Sequence, residues 1–391
     1  MGTRQDFAPG GQAAGNSLAI ARRPCNREGM STDQRDLSRL GWTNATAEAF
    51  EESAAASPFD LTPGRVGRAE RGRVMVHTAR QVAPALVRLP AGGEVEDQPT
   101  TGDWVGVERR ADGDVVRTLL PRRSAVVRRV AAERSDGQVL AANLDLVLVA
   151  VPFETRVNLS TIERYLVVAW ESGARPVVAL TKADLAFDPD ATRAQVEAAA
   201  AGVEVCVVSA ETGEGMQDLA TVLAGASTAL VGQSGAGKST LVNVLAGHEV
   251  QAVSDTRQDG KGRHTTTARE LIVLGDGGVL IDTPGLRSIG LHDDGAGVAL
   301  TFPDVERLIA SCRFGDCGHE SEPGCAVRAA LTAGDVEERR WRNWQKLQRE
   351  AQWMAMRTDP QARSAARKRW AAASRGGRAR AAMKQGLDPF G

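Results

Sequence analysis

Between Gly64 and about Arg129 the chain alternates short apolar and polar steps: "GRVMVHTA", "APALVRLP", "DWVGVERR", "DVVRTLL" and "SAVVRRV". Gly, Pro and Asp punctuate these runs at regular intervals, which predicts four or five short strands and hence a small barrel or sandwich. A five-stranded barrel would be OB-like, a fold that often binds nucleic acid. Arg68, Arg71, Arg73, Arg109, Arg110, Arg117, Arg122, Arg123, Arg128 and Arg129 give the region a basic tint. They suit either RNA contact or solvated strand faces.

From Asn143 the texture changes. "LDLVLVAVP" and "ARPVVALTKAD" are continuous apolar runs ending in polar residues, as buried parallel strands do. Between them "NLSTIERYLVVAWESG" has helical spacing, and "VEVCVVSA", "TALVGQSGAGKS", "ELIVLGDG" and "GVLIDTPG" add further strands. Alternating strands and helices predict an α/β domain with a mainly parallel doubly wound sheet. "ELIVLGDGGVLIDTPG" reads as a hairpin that adds one antiparallel edge. Beyond about Thr301 come a Cys-rich segment, a helical stretch, "AGDVEERRWRNWQKLQREAQWMA", and a basic tail that suits a helix or a free arm. The expected organisation is a weakly ordered extension over 1–60, the barrel over 64–130, and the α/β domain over 140–301. A mainly helical module over 302–357 and the tail over 358–391 complete it.

Composition narrows the class. The chain has 391 residues with a formal net charge of −1, so no global charge argues for a polyanionic partner. No apolar run approaches the roughly 18–20 residues needed to cross a bilayer. The N-terminus lacks a basic start followed by an apolar core, so no secretory signal, no membrane association and a cytoplasmic location are expected. Of five cysteines, Cys312, Cys317 and Cys325 crowd into one window, which in such a chain suggests metal and not disulfides. Cys206 falls within a strand and reads as core; Cys25 reads as an exposed thiol.

"GQSGAGKS", Gly232 to Ser239, fits the phosphate-loop pattern G-x-x-x-x-G-K-[ST] in full. It follows an apolar strand and opens an apolar helix. Backbone N–H groups from Gly232, Gln233, Ser234, Gly235, Ala236, Gly237, Lys238, Ser239 and Thr240 can cradle phosphates there, aided by the helix dipole. Gly235 and Gly237 permit the backbone conformation. Lys238 is expected to reach the β- and γ-phosphates, and the Ser239 hydroxyl to ligate Mg²⁺. About 45 residues on, "LIDTPG" ends a strand at Asp282, suited to Mg²⁺, while Gly285 supplies an N–H near the γ-phosphate. Between them "DGKGRHTTTARE" looks like a first switch. One of Thr265, Thr266 or Thr267 would meet Mg²⁺ and the γ-phosphate, and Thr266 is favoured.

"TKAD" selects the base. The Asp184 carboxylate accepts the two N–H donors that guanine offers and adenine lacks, so ATP would leave it unpaired. Lys182 can lay its stem over the base, and Ala183 sits between them. Thr181 stands where Asn is usual, so some loop-bracing bonds are expected to be lost. Ser209–Ala210, after the strand "VEVCVV", offers a backbone N–H to the guanine oxygen. The order along the chain is therefore base motif, "SA", phosphate loop, switch one, switch two. The two halves of a GTP-binding domain have been exchanged, which a doubly wound sheet tolerates when the old termini were close.

These motifs resemble the circularly permuted, ribosome small-subunit-dependent GTPase A family of bacteria. The likeness rests on "GQSGAGKST", "GRHTTT", "DTPG" and C-x4-C-x-H-x5-C, over about residues 64–350. It implies an OB-like barrel, a circularly permuted P-loop GTPase domain and a zinc-binding C-terminal domain. It also implies binding to the 30S subunit and 16S rRNA late in maturation, with GTP hydrolysed to GDP under ribosomal stimulation. A monomer is expected. Cys312, Cys317, His319 and Cys325 then make a closed set for one structural Zn²⁺. Leu286 follows "DTPG" where many GTPases place a water-orienting Gln, so intrinsic turnover should be slow. His264 is the candidate to orient water, or else it contacts RNA or packs its loop. A generic P-loop ATPase, and an RNA-binding scaffold that senses GTP with little hydrolysis, are the rival readings.

Overall fold

The alternating residues of Leu61–Leu119 curl into a barrel because one long strand serves both ends. The computed structural model describes residues 37–89, 98–128, 138–153, 157–250, 269–275, 277–282 and 295–358. Strands β1 (Leu61–Glu70), β2 (Arg73–His77), β3 (Val82–Val87), β4 (Trp104–Glu108) and β5 (Asp114–Leu119) form a closed barrel in the order β1-β2-β3-β5-β4. The first half of β1 pairs with β4 and the second half with β2, with a bulge between Val66 and Arg68 that bends it. Inward positions Val66, Val74, Val76, Ala85, Val105, Val107 and Val116 fill the interior. The expectation that "SAVVRRV" belongs to this barrel is corrected. Its strand β6 (Ala125–Arg128) pairs with β7 (Gln138–Ala142) in a separate two-stranded sheet. The barrel is already closed, so it leaves no edge for a sixth strand.

The expectation of little order before residue 60 also needs correction for the described part. Ser38–Leu40 is a 3₁₀ turn and α1 spans Asn44–Ala55, capped by the Thr43 hydroxyl, which accepts from the Thr46 N–H. Leu37, Leu40 and Trp42 are buried, and the Trp42 ring meets Trp104 edge-on at 4.8 Å. Three large apolar side chains in six residues suffice to dock the segment, although they are too few to make a period. Residues 1–36 and the basic tail after 358 lie outside the described residues.

Arg65 joins this segment, the barrel and the α/β domain. Its side chain is fully buried. Its Nη1 donates to the Leu40 carbonyl and, at 2.8 Å, to Ser227 Oγ; Nη2 donates to Asn143 O at 3.1 Å and Nε to Gly102 O at 3.2 Å. Burial lowers its pKa to about 10, so it stays charged at neutral pH among carbonyls and the Trp104 face. Ser227 begins the strand that leads into the phosphate loop.

The α/β domain is a six-stranded sheet in the order β10-β9-β8-β11-β13-β12. Its strands are β8 (Leu146–Pro152), β9 (Arg175–Thr181), β10 (Glu204–Val207), β11 (Ser227–Gly232), β12 (Glu270–Val273) and β13 (Val279–Asp282). All neighbours are parallel except β12 and β13, the expected hairpin. Helices α2 (Leu159–Glu171), α3 (Pro189–Ala199), α4 (Met216–Leu223) and α5 (Lys238–Ala246) connect them. The carboxyl ends of β8, β9, β10, β11 and β13 therefore share one edge, where open α/β sheets bind ligands.

Four helices follow: α6 (Ala296–Thr301), α7 (Pro303–Ala310), α8 (Ala326–Ala333) and α9 (Glu338–Thr358). α6 lies against α2 at Gly297, where a Cβ would fall 2.5 Å from Val167 O and 2.6 Å from Glu171 Cγ. Gly297→Ala is expected to cost about 1–3 kcal/mol through this overpacking, read as a lower thermal midpoint. From α9, Arg340 reaches two elements at once. It donates to Glu163 of α2 at 2.9 Å and pairs doubly with Asp304 of α7 at 2.7 and 2.8 Å. Glu163 also accepts from Arg339 and Asn343.

Candidate nucleotide and metal sites

The phosphate loop takes its form from three constraints. Gly232, at the end of β11, has φ +147°, and a Cβ there would sit 2.4 Å from the Ala150 carbonyl on β8. Only glycine lets the two strand ends approach so closely. Gly237, at φ +74°, precedes α5 and caps it with no side-chain hydrogen bond. The first N–H groups of α5 are thus left for an anion. Lys238 curls back, its Nζ donating to Gly232 O at 3.0 Å and Gln233 O at 2.7 Å. Its ammonium therefore already sits over the loop that would hold phosphates. Asp282 ends β13 in register with Leu230 of β11 and is buried, one strand from the loop.

The base motif is tied to that loop by one hydroxyl. Thr181 closes β9, is buried, and donates from Oγ1 to the Ala236 carbonyl at 2.8 Å. The expected loss of bracing at this position is corrected: the shorter side chain still makes a bond, because Ala236 is itself buried within its reach. Lys182 follows at φ +61°, a left-handed conformation uncommon for a residue with a Cβ and typical of functional turns. That turn sends Asp184 outward, where it is exposed. The fully buried Ser209 donates from Oγ to Asp184 Oδ1, and the same Oγ accepts the Thr212 N–H. The Ser209 N–H is committed to Glu214 O at 2.9 Å, so the donor this turn can offer a base oxygen is that of Ala210. Ser209 thus orients the carboxylate, a role that its place in "SA" did not announce.

Among the described residues, the fold brings Thr181, Lys182, Ala183, Asp184, Ser209, Ala210, the loop 232–240 and Asp282 to one edge of the sheet. His264, Thr265, Thr266, Thr267 and Gly285 lie outside the described residues.

The second cluster joins the C-terminal helices. Cys312 follows α7, Cys325 caps α8, and Cys317 and His319 lie on the loop between them. One ligand atom from each falls within 4.8 Å of the others. His319 Nδ1 is 3.6 Å from both the Cys312 and Cys325 sulfurs, and those sulfurs are 4.0 Å apart. A tetrahedral Zn²⁺, with Zn–S near 2.3 Å and Zn–N near 2.0–2.1 Å, has edges of roughly 3.6–3.8 Å. The donor set is that of a structural zinc site, and the two His319–sulfur separations match its edges.

A phosphate loop and the base-motif carboxylate on one sheet edge, the carboxylate upstream in sequence, are the arrangement of a circularly permuted P-loop GTPase. The chain matches the RsgA GTPase family model over residues 119–292. It is 50% identical, over 355 residues, to the small ribosomal subunit biogenesis GTPase RsgA of Streptomyces coelicolor, covering 89% of this chain and 95% of that protein. It therefore belongs to the RsgA GTPase family. The crystal structure of YjeQ from Thermotoga maritima superposes with a TM-score of 0.55 at 25% identity, over 74% of this chain and 97% of that one. The crystal structure of YloQ, a circularly permuted GTPase, gives 0.51 at 22% identity, over 77% and 97%, and supports the fold.

Proposed function

We propose that this GTPase binds the 30S ribosomal subunit late in its maturation and hydrolyses GTP to GDP and phosphate when the ribosome stimulates it. The 50% identity to a small ribosomal subunit biogenesis GTPase carries the ribosomal part of the reading, and the nucleotide part is carried by the Thr181–Ala236 bond. It links guanine selection to phosphate binding, so a guanine nucleotide engages both halves of the site at once. Asp184, aimed by Ser209, reads the base, and Ala210 N–H meets its oxygen. Lys182 covers the ring. The loop N–H groups and Lys238 hold the phosphates. Ser239 and Asp282, with Thr266, would hold Mg²⁺, which neutralises charge on the phosphate oxygens when bound. Gly285 senses the γ-phosphate.

His264 orients the attacking water in this account. His264→Ala is expected to remove ribosome-stimulated hydrolysis while sparing GTP affinity; normal stimulated turnover in that variant would exclude it. Cys312, Cys317, His319 and Cys325 would hold one structural Zn²⁺, with no open coordination position for chemistry. The barrel and the basic C-terminal elements contact 16S rRNA, chiefly through phosphates, so binding weakens as salt rises. The protein acts as a monomer in the cytoplasm; no helix among the described residues is long and apolar enough to cross a membrane. Co-sedimentation with 30S subunits tests the cycle. The GTP-like state, held with a non-hydrolysable analogue, is expected to bind and the GDP state to release. Equal retention in both states would contradict it.

A further inference from the structure

The loop that carries Cys317 and His319 also carries a carboxylate, Glu322, that lies outside the donor set. Three backbone N–H groups converge on Glu322. Gly318 N–H donates to Oε1 at 3.0 Å, and the N–H groups of Glu320 and Ser321 donate to Oε2 at 3.0 Å each. Such a concavity of successive amides is an anion nest, and here the chain fills it with its own side chain. The N–H bonds from Glu322 itself, Ser321 and Gly318 hold its carboxyl down to about 2, so it is ionised throughout the working range.

The position of the nest matters. Gly318 and Glu320 are the two neighbours of His319, and His319 has φ +59°. That left-handed conformation is unfavourable for a residue with a Cβ. It is also what turns Nδ1 toward the Cys312 and Cys325 sulfurs at 3.6 Å. Gly318 allows the close approach, since a Cβ there would meet Glu322 Oε1 at 3.0 Å. The imidazole ring is restrained separately. It meets Trp341 edge-on at 5.5 Å, Trp341 stacks on Trp344 at 4.9 Å, and Trp344 Nε1 donates to Glu306 at 2.9 Å.

We propose that Glu322 is a positioning residue for the metal centre: by bonding the amides on both sides of His319 it fixes the left-handed turn that presents the imidazole to the ion. This rests on the zinc reading above. Outer partners of metal-bound histidine commonly change metal affinity by about 10- to 100-fold. The nest would do the same through the backbone, where the ring of His319 is held by tryptophan.

The test measures zinc content, then the rate of zinc release to a chromogenic chelator, for the full-length wild type, Glu322→Gln and Glu322→Ala. GTP affinity reports that each variant is folded. Release is expected to be roughly tenfold faster or more from Glu322→Ala. Glu322→Gln should fall between, because its amide oxygen still accepts from the nest without the charge. Tryptophan fluorescence of Glu322→Ala should shift toward that of the metal-stripped wild type. Zinc released from both variants at the wild-type rate would overturn the proposal alone. Wild-type protein that holds no zinc would overturn the metal reading and this inference with it.

Discussion

Asp184→Ala is expected to weaken GTP binding by roughly 10²- to 10⁴-fold, from the loss of two hydrogen bonds to a charged acceptor at about 1.5–3 kcal/mol each. ATP binding, expected to be weak in the wild type, should barely change, so the expected preference for GTP collapses. The structure sharpens this expectation. Asp184 is exposed and held by Ser209 Oγ, so removing the carboxylate disturbs no core packing. The variant should unfold at the wild-type temperature. Ser209→Ala should reproduce a small part of the loss, since the carboxylate survives without its guide. Fluorescent guanine-nucleotide titration with ATP competition reads each value. Unchanged GTP affinity in Asp184→Ala would remove this residue from base recognition.

Glu163→Ala is expected to destabilise the folded chain by about 3–5 kcal/mol, the usual result of taking one partner from a buried charge pair. Glu163 is fully buried and accepts from Arg339, Arg340 and Asn343. Without it, Arg340, whose side chain is only 7% exposed, keeps Asp304 as its one charged partner among the described residues. The loss is not a nucleotide-site effect, so GTP affinity at low temperature should hold. A cycle with Arg340→Met checks the cause. The loss in the double variant should be smaller than the sum of the two single losses, because both substitutions remove the same Glu163–Arg340 pair. A midpoint of thermal unfolding equal to wild type would show that α9 is not clamped to α2 by these charges.

Much of this architecture was legible because it is local in sequence. The phosphate loop is eight residues with strand before and helix after, and β12–β13 is a hairpin with its turn signal inside the run. The reversed motif order could be read directly, and it is the order that the sheet carries. What escaped notice depends on distant partners. Arg65 meets Ser227 across 162 residues, and Arg340 meets Glu163 across 177. No window shows such pairs, and Arg65 resembles the other arginines of the barrel until its burial is known. Thr181 misled for a different reason. By residue type alone it loses an amide, but its hydroxyl has a buried carbonyl at 2.8 Å. Substituting Thr181→Val keeps its volume and should lower nucleotide affinity by about tenfold, with Thr181→Ser close to wild type. Equal affinity in both would show that the bond between base motif and loop is idle.

We infer that the two exchanged halves form one GTP-hydrolysing site that the small ribosomal subunit switches on. Multiple-turnover GTP hydrolysis, measured with and without purified 30S subunits, decides this. Slow turnover alone and a large increase with 30S subunits, absent when ATP replaces GTP, is the expected result. Turnover unchanged by 30S subunits would contradict the account and favour a ribosome-binding scaffold that only senses GTP.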